Sequence, residues 1–152
     1  MGEYKMIDRL NKENVKDCAR MAYALWPDTE YEELLDDFDY IINSDKAECF
    51  LYYENEASKE YLGFAQASIR SDYVEGSDSS PVVYIEGIYV DDNHRRRGIA
   101  QILVDSVEKW GKDMGCSEIG SDCELDNHIS VDFHKGIGFE EANRLVCFIK
   151  KI

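Results

Sequence analysis

Positive charge is scarce in this chain. Seventeen lysines and arginines stand against 32 aspartates and glutamates, and the net charge is −15. That balance argues against nucleic acid, whose phosphates require a basic surface, and would draw a polycation from a distance. Long apolar runs are also missing. No stretch approaches the roughly 20 residues that a membrane-spanning helix needs. The opening MGEYKMIDRL lacks a signal-peptide apolar region, so the expectation is a cytoplasmic protein with no membrane partner. The five cysteines (Cys18, Cys49, Cys116, Cys123, Cys147) are odd in number and form no C-x-x-C, and the three histidines show no ligand spacing. That pattern supports no disulfide framework and no metal site, and buried reduced thiols are expected instead. Repeats, low-complexity tracts and linkers are absent, so residues 1–152 read as a single domain with one substantial core.

What is present centres on residues 82–114. VVYIEGIYV is apolar and β-branched or aromatic at most positions, which predicts a buried strand. After DDNHRRRGIA comes a helical pattern in which Ile99, Leu103, Val107, Trp110 and Met114 share one face, with Gly115 placed for a left-handed cap. Between strand and helix lie Arg95, Arg96, Arg97, Gly98, Ile99 and Ala100. A helix start offers unpaired N–H groups and the positive end of its dipole, and a residue without Cβ allows close approach. The stretch reads either as a diphosphate site or as a solvated basic turn. Neither G-x-x-x-x-G-K-[ST] nor G-x-G-x-x-G occurs.

Elsewhere the pattern predicts a first strand over residues 4–10 and a helix capped by Asn11 and ending at Trp26-Pro27. A second helix follows a capping box of Thr29 and Glu32, with Leu34, Leu35, Phe38, Ile41 and Ile42 inward. Residues 48–53 and 61–70 read as a hairpin, and 71–81 as a loop holding Tyr73 and Glu75. A fifth strand over 118–123, a short helix from Asp126-Asn127 to Lys135, and terminal β-structure over 139–152 complete the order β-α-α-β-β-β-α-β-α-β, which implies a mixed sheet.

The R-x-x-G-x-A pattern after a strand resembles the pyrophosphate loop of the GCN5-related N-acetyltransferases. Near the C-terminus, Asn127, Ser130, His134 and Gly138-Phe139 are similar to that family's N-x-x-A-x-x-x-Y-x-x-x-G-F. Ser130 replaces the alanine, and His134 replaces the tyrosine that commonly protonates the departing thiolate. The element order is similar to the same α+β fold, the acyl-CoA N-acyltransferase fold, whose central mixed, mostly antiparallel sheet is flanked by helices. Within the family, residues 25–28 (LWPD), 68–76 (SIRSDYVEG), 79–81 (SSP), 86–90 (EGIYV) and 120–122 (GSD) resemble the aminoglycoside 6′-N-acetyltransferases.

The resemblance implies acetyl-CoA as acetyl donor. Its diphosphate would lie on Arg95 to Ala100 and its pantetheine arm along the backbone of Ile88, Tyr89 and Val90. The N–H of Val90 would face the developing oxyanion. Gly87 within the strand suggests a bulge or a close approach. Glu86 is the leading base and Asp122 a substrate binder and second base. Trp26 and Asp28 of the Trp-Pro turn, with Tyr73 and Glu75, would complete a pocket for a cationic aminoglycoside. Several residues keep two readings. Trp26 stacks on substrate or closes the core. Glu86 acts in the site or is merely paired at the surface. Asn127 binds cofactor or caps its helix. His134 donates a proton, contacts pantetheine or is structural. The family often dimerises through its last strands, which implies a homodimer paired through residues 144–152. The competing functions are acetylation of a polyamine or protein amine, and a non-catalytic acyl-CoA sensor.

Overall fold

Alternation along the central strands sorts side chains onto two faces of a sheet. The computed structural model describes residues 6–152. In β2 (Ala47–Tyr53), Cys49, Leu51 and Tyr53 enter one buried cluster while Phe50 enters the other. In β3 (Tyr61–Arg70), Phe64 and Ala65 divide in the same way. With β1 (Met6–Arg9), β4 (Val82–Val90) and β5 (Ile119–Gly120), these strands form one sheet in sequence order. The first four are antiparallel neighbours and β5 runs parallel to β4, which gives the mixed, mostly antiparallel sheet expected. The first-strand expectation for residues 4 and 5 lies outside the described residues.

Helices α1 (Val15–Leu25) and α2 (Tyr31–Ile42) cover one face, with Cys18, Met21, Ala22, Leu34, Phe38 and Ile41 in the first cluster. Helix α3 (Ile99–Asp113) covers the other, burying Ile99, Leu103, Val104, Val107 and Trp110 against Ala65, Ala67, Val83 and Ile85. Helix α4 (His128–Gly136) packs at the end of that layer through Phe133, joined by Ile137 and Phe139.

Six expectations need correction, one being the fifth strand, which spans Ile119–Gly120 rather than 118–123 because it pairs with β4 only there. The chain makes a turn before α1, because Asn11 Oδ1 accepts from the N–H groups of Glu13 (2.8 Å) and Asn14 (3.0 Å). The helix therefore starts at Val15 with Asn14 at its cap. Glu30, not Thr29, stands at the cap of α2, with no capping side chain; the Thr29 N–H is drawn back to the Trp26 carbonyl at 3.1 Å. Met114 lies past the last turn of α3 and is 37% exposed, although Gly115 adopts the expected left-handed φ of 88°. Cys18, Cys49 and Cys116 are buried free thiols, whereas Cys123 and Cys147 are exposed.

The largest difference is at the C-terminus, where residues 139–152 form neither helix nor strand. Phe148 and Ile149 are 91% and 99% exposed. A strand exists only against a partner ladder, and β5 pairs for just two residues.

Candidate active site

The cleft begins with a fault in the sheet. Gln66 pairs with Gly87 and Ala67 with Ile85, which leaves Glu86 opposite nothing, as a β-bulge. On the other side, β4 meets β5 only at Val83↔Ile119 and Tyr84↔Gly120. Beyond Tyr84 the two strands share no pairs. Asp91 donates its N–H to the Leu62 carbonyl at 2.8 Å. Strand alternation then turns the peptide groups of Tyr89 toward β3 and those of Ile88 and Val90 toward the cleft. Consistent with this, the Val90 carbonyl accepts from Arg95 Nε at 3.2 Å.

The basic loop closes one end. Asp91 caps a short 3₁₀ turn (Asp92–His94) by accepting from the Asn93 N–H at 3.0 Å. Arg96 and Gly98 then take left-handed φ values of 64° and 78°. A non-glycine residue in that region costs about 1–3 kcal/mol and persists only where its surroundings impose it. Gly98 is the N-cap of α3 and no side chain caps the first turn. A Cβ on Gly98 would meet nothing within 4 Å, so the space over those amides is open. Arg95 pairs with Asp92 at 2.8 Å and Arg97 with Glu54 at 2.7 Å. Arg96 has no ion pair among the described residues. An open helix start beside one uncommitted guanidinium fits a diphosphate.

The acidic end is a connected network. Glu86 Oε1 accepts from Ser68 Oγ (2.6 Å), Arg70 Nε (3.1 Å) and Arg70 Nη2 (2.8 Å). Glu86 Oε2 accepts from Arg70 Nη2 alone, at 2.8 Å. The Arg70 guanidinium lies 3.5 Å from the ring centroid of Tyr84. The Tyr84 hydroxyl donates to Asp122. Burial first, and Asp122 second, push the Tyr84 phenol well above its ordinary value, so it stays a donor. Glu86 and Asp122, far apart in sequence, thus share one network.

Of its two expected parts, Trp26 takes the core-closing one. It is half-buried, packs edge-on to Phe64 at 6.1 Å and lies over Gly87, where a Cβ would come within 2.5 Å of the indole. The close approach at Gly87 is therefore to Trp26, beside Glu86. Asp28 is exposed in the turn that follows α1. Val74 is buried with Val82 and Tyr84 and anchors the loop; Tyr73 beside it is 77% exposed. Glu75 accepts from Asn143 Nδ2 at 2.8 Å. A shallow depression of about 410 Å³ in this loop includes Tyr73 but reaches neither Glu86 nor Asp122.

Asn127 caps α4, accepting from the Ser130 N–H at 3.1 Å. His134 Nδ1 lies 2.7 Å from the Ser130 carbonyl, which can only accept, so Nδ1 carries the proton. In the neutral ring Nε2 is then an acceptor, and it receives the Ser121 hydroxyl at 2.7 Å. The proton on that side of neutral His134 belongs to Ser121.

Ser68, Arg70, Tyr84 and Ser121 carry no role in the sequence reading. The signals for the first two were their place in the resembling segment 68–76 and their spacing of two at the end of a mostly apolar strand. Among the described residues no group of His, Cys, Asp and Glu could hold a metal ion, and no helix is long and apolar enough to cross a membrane.

A sheet whose parallel pair at one edge, β4 and β5, parts beside a bulge, with a basic loop leading into the open start of the following helix, is the architecture of an acyl-CoA-dependent transferase. The family model for the acetyltransferase (GNAT) family matches residues 12–139, and the chain belongs to that family. It is 38% identical to an aminoglycoside N(6′)-acetyltransferase type 1 of Salmonella enteritidis, over 95% of this chain and 98% of the relative. It is 41% identical to one of Acinetobacter genomosp. 13, over 90% and 91%. Among solved structures, AAC(6′)-Iy in complex with the bisubstrate analogue CoA-S-monomethyl-acetylneamine matches with a TM-score of 0.92 at 38% identity, covering 98% of this chain and 99% of that one. The same enzyme in complex with CoA matches with a TM-score of 0.94 at 37% identity, covering 100% and 98%.

Proposed function

We propose that this chain transfers the acetyl group of acetyl-CoA to the 6′-amine of an aminoglycoside antibiotic, and so confers resistance. The observation that carries the reading is the bulged Glu86, set beside Trp26 and joined to Asp122 through Arg70 and Tyr84. The near full-length similarity to enzymes of that name supports the substrate class. A net charge of −15 suits a polycationic sugar.

Acetyl-CoA supplies the activated acyl group. The residues of this chain do the rest. The N–H groups at the start of α3, with Arg95, Arg96 and Arg97 around them, hold the diphosphate. The cleft-facing peptide groups of Ile88 and Val90 align the pantetheine arm, and the Val90 N–H stabilises charge on the carbonyl oxygen. Glu86 and Asp122 bind the ammonium, and Glu86 is the first candidate to take its proton. Asp28, Tyr73 and Glu75 form the outer wall, with Trp26 beneath the sugar. Asn127 and His134 contact the cofactor near its thiol end. Five free cysteines suit a reducing cytoplasm.

Thiol release with kanamycin-type, polyamine and peptide acceptors tests the reading. Aminoglycoside-dependent release is expected. Release with polyamine or peptide alone would move the substrate class, and acetyl-CoA binding without release on any acceptor would make the protein a sensor.

The working unit is a homodimer. The exposed apolar residues Leu145, Val146, Phe148 and Ile149 need a second surface to bury them. Ending the chain after Asn143 is expected to give a monomer in sedimentation equilibrium. A full-length monomer would refute the dimer.

A further inference from the structure

We propose that Arg70 is the positioning residue for amine recognition: it fixes the direction in which Glu86 accepts the substrate ammonium and ties that carboxylate to Asp122. The inference rests on the aminoglycoside reading above.

A carboxylate has about four acceptor positions, two on each oxygen. Glu86 Oε1 already receives three donors, from Ser68 Oγ and from Nε and Nη2 of Arg70. Glu86 Oε2 receives only one. The network therefore saturates one oxygen and leaves lone-pair capacity on the other. An incoming ammonium meets Glu86 with a single oxygen available, in an orientation set by Ser68 and Arg70.

The strand pattern explains why these groups meet. Ser68 and Arg70 are two apart on β3 and share a face. Ser68 pairs directly with Tyr84, which puts Arg70 on the diagonal from that ring. The bulge places Glu86 where both can reach it. Tyr84 in turn donates to Asp122. Movement of Arg70 is thus coupled to both carboxylates, to one by hydrogen bonds and to the other through the ring it stacks on.

An ordinary exposed ion pair contributes little and can be removed without consequence. Arg70 differs from one in being forked on the carboxylate and stacked on an aromatic face. Lysine, a point charge, can reproduce neither feature. Its side chain is also 41% exposed, so its loss empties no core.

The test is steady-state kinetics with kanamycin as acceptor, on the wild type, Arg70→Gln, Arg70→Lys, Glu86→Gln and the Arg70→Gln/Glu86→Gln double variant. Losing hydrogen bonds to a charged group is expected to raise the kanamycin KM of Arg70→Gln about tenfold or more. The acetyl-CoA KM should stay unchanged, and that same constant reports that the variant is folded. Arg70→Lys should recover only part of the loss. The double variant should be no worse than Glu86→Gln, because Arg70 acts through that residue. In a further variant, Arg70→Ala, added methylguanidinium should partly restore the kanamycin KM. A kanamycin KM in Arg70→Gln equal to or below that of the wild type would overturn the proposal, as would additive losses in the double variant. If the wild type releases no thiol with any aminoglycoside, the functional reading fails first and the inference falls with it. An active wild type beside an indifferent Arg70→Gln sinks the inference alone.

Discussion

Replacing Gly87 by alanine isolates the packing that shapes the substrate end of the cleft. A Cβ there would stand 2.5 and 2.6 Å from Trp26 Cζ2 and Cη2, and 3.4 Å from Leu25 Cδ2. Ordinary van der Waals contact needs about 3.5–4.0 Å, so the indole must retreat by about 1 Å. That shift disturbs its edge-on packing at 6.1 Å against Phe64, which is fully buried. Overpacking of this kind costs about 1–3 kcal/mol. At roughly 2–4 °C per kcal/mol for a chain of this length, Tm should fall by about 2–12 °C. Because Glu86 is the preceding residue, the displaced indole should also raise the aminoglycoside KM while leaving that of acetyl-CoA unchanged. Calorimetry, tryptophan emission and two-substrate kinetics measure the three consequences. A Gly87→Ala protein with wild-type Tm and emission would show that the strand accommodates a Cβ and that Trp26 does not require glycine there.

Three further outcomes are expected. Gly98→Asp should raise the acetyl-CoA KM by about tenfold or more, through anionic charge at the positive end of α3; Gly98→Asn tolerates the same left-handed φ without the charge and should change it far less, and equal effects would assign the loss to backbone strain instead. Glu86→Gln should lower kcat/KM by about a hundredfold, in the range of a lost general base, and Asp122→Asn by less, both with unchanged acetyl-CoA binding; wild-type turnover in either removes its assigned role. The Tyr84 phenol is held above its ordinary value of about 10 in the folded protein. The stability it contributes is therefore complete below pH 10 and lost as pH rises beyond that toward the folded value, so Tyr84→Phe should flatten the alkaline limb of a Tm–pH curve, and an unaltered limb would contradict the assignment.

Much of the fold was legible because its signals are local. The apolar spacing of α3 and the β-branched run of β4 set those elements almost to the residue. The loop between them could be read too, since three arginines and a glycine without Cβ stand just where a helix begins. The errors arose where side chains had local alternatives. Asn11 folded back on its own turn, and Trp26 captured the N–H of the expected cap Thr29. The continuous apolar run over 145–149 spelled a strand, but pattern cannot supply the ladder a strand requires.

Sequence by itself determined the order of elements as far as α4, the basic loop ahead of α3 and the presence of acidic residues in β4 and just after β5. Hydrophobic period, backbone preference and charge are properties of neighbours along the chain. Gly87 signalled a bulge or a close approach, but only tertiary structure decided that Glu86 is the bulged residue, that Trp26 is what approaches Gly87 and that Arg70 engages Glu86. Those facts depend on the register between β3 and β4 and on the packing of α1 against them. A shift of one residue in that register would send each of these side chains to the opposite face, and no local feature of either strand fixes it.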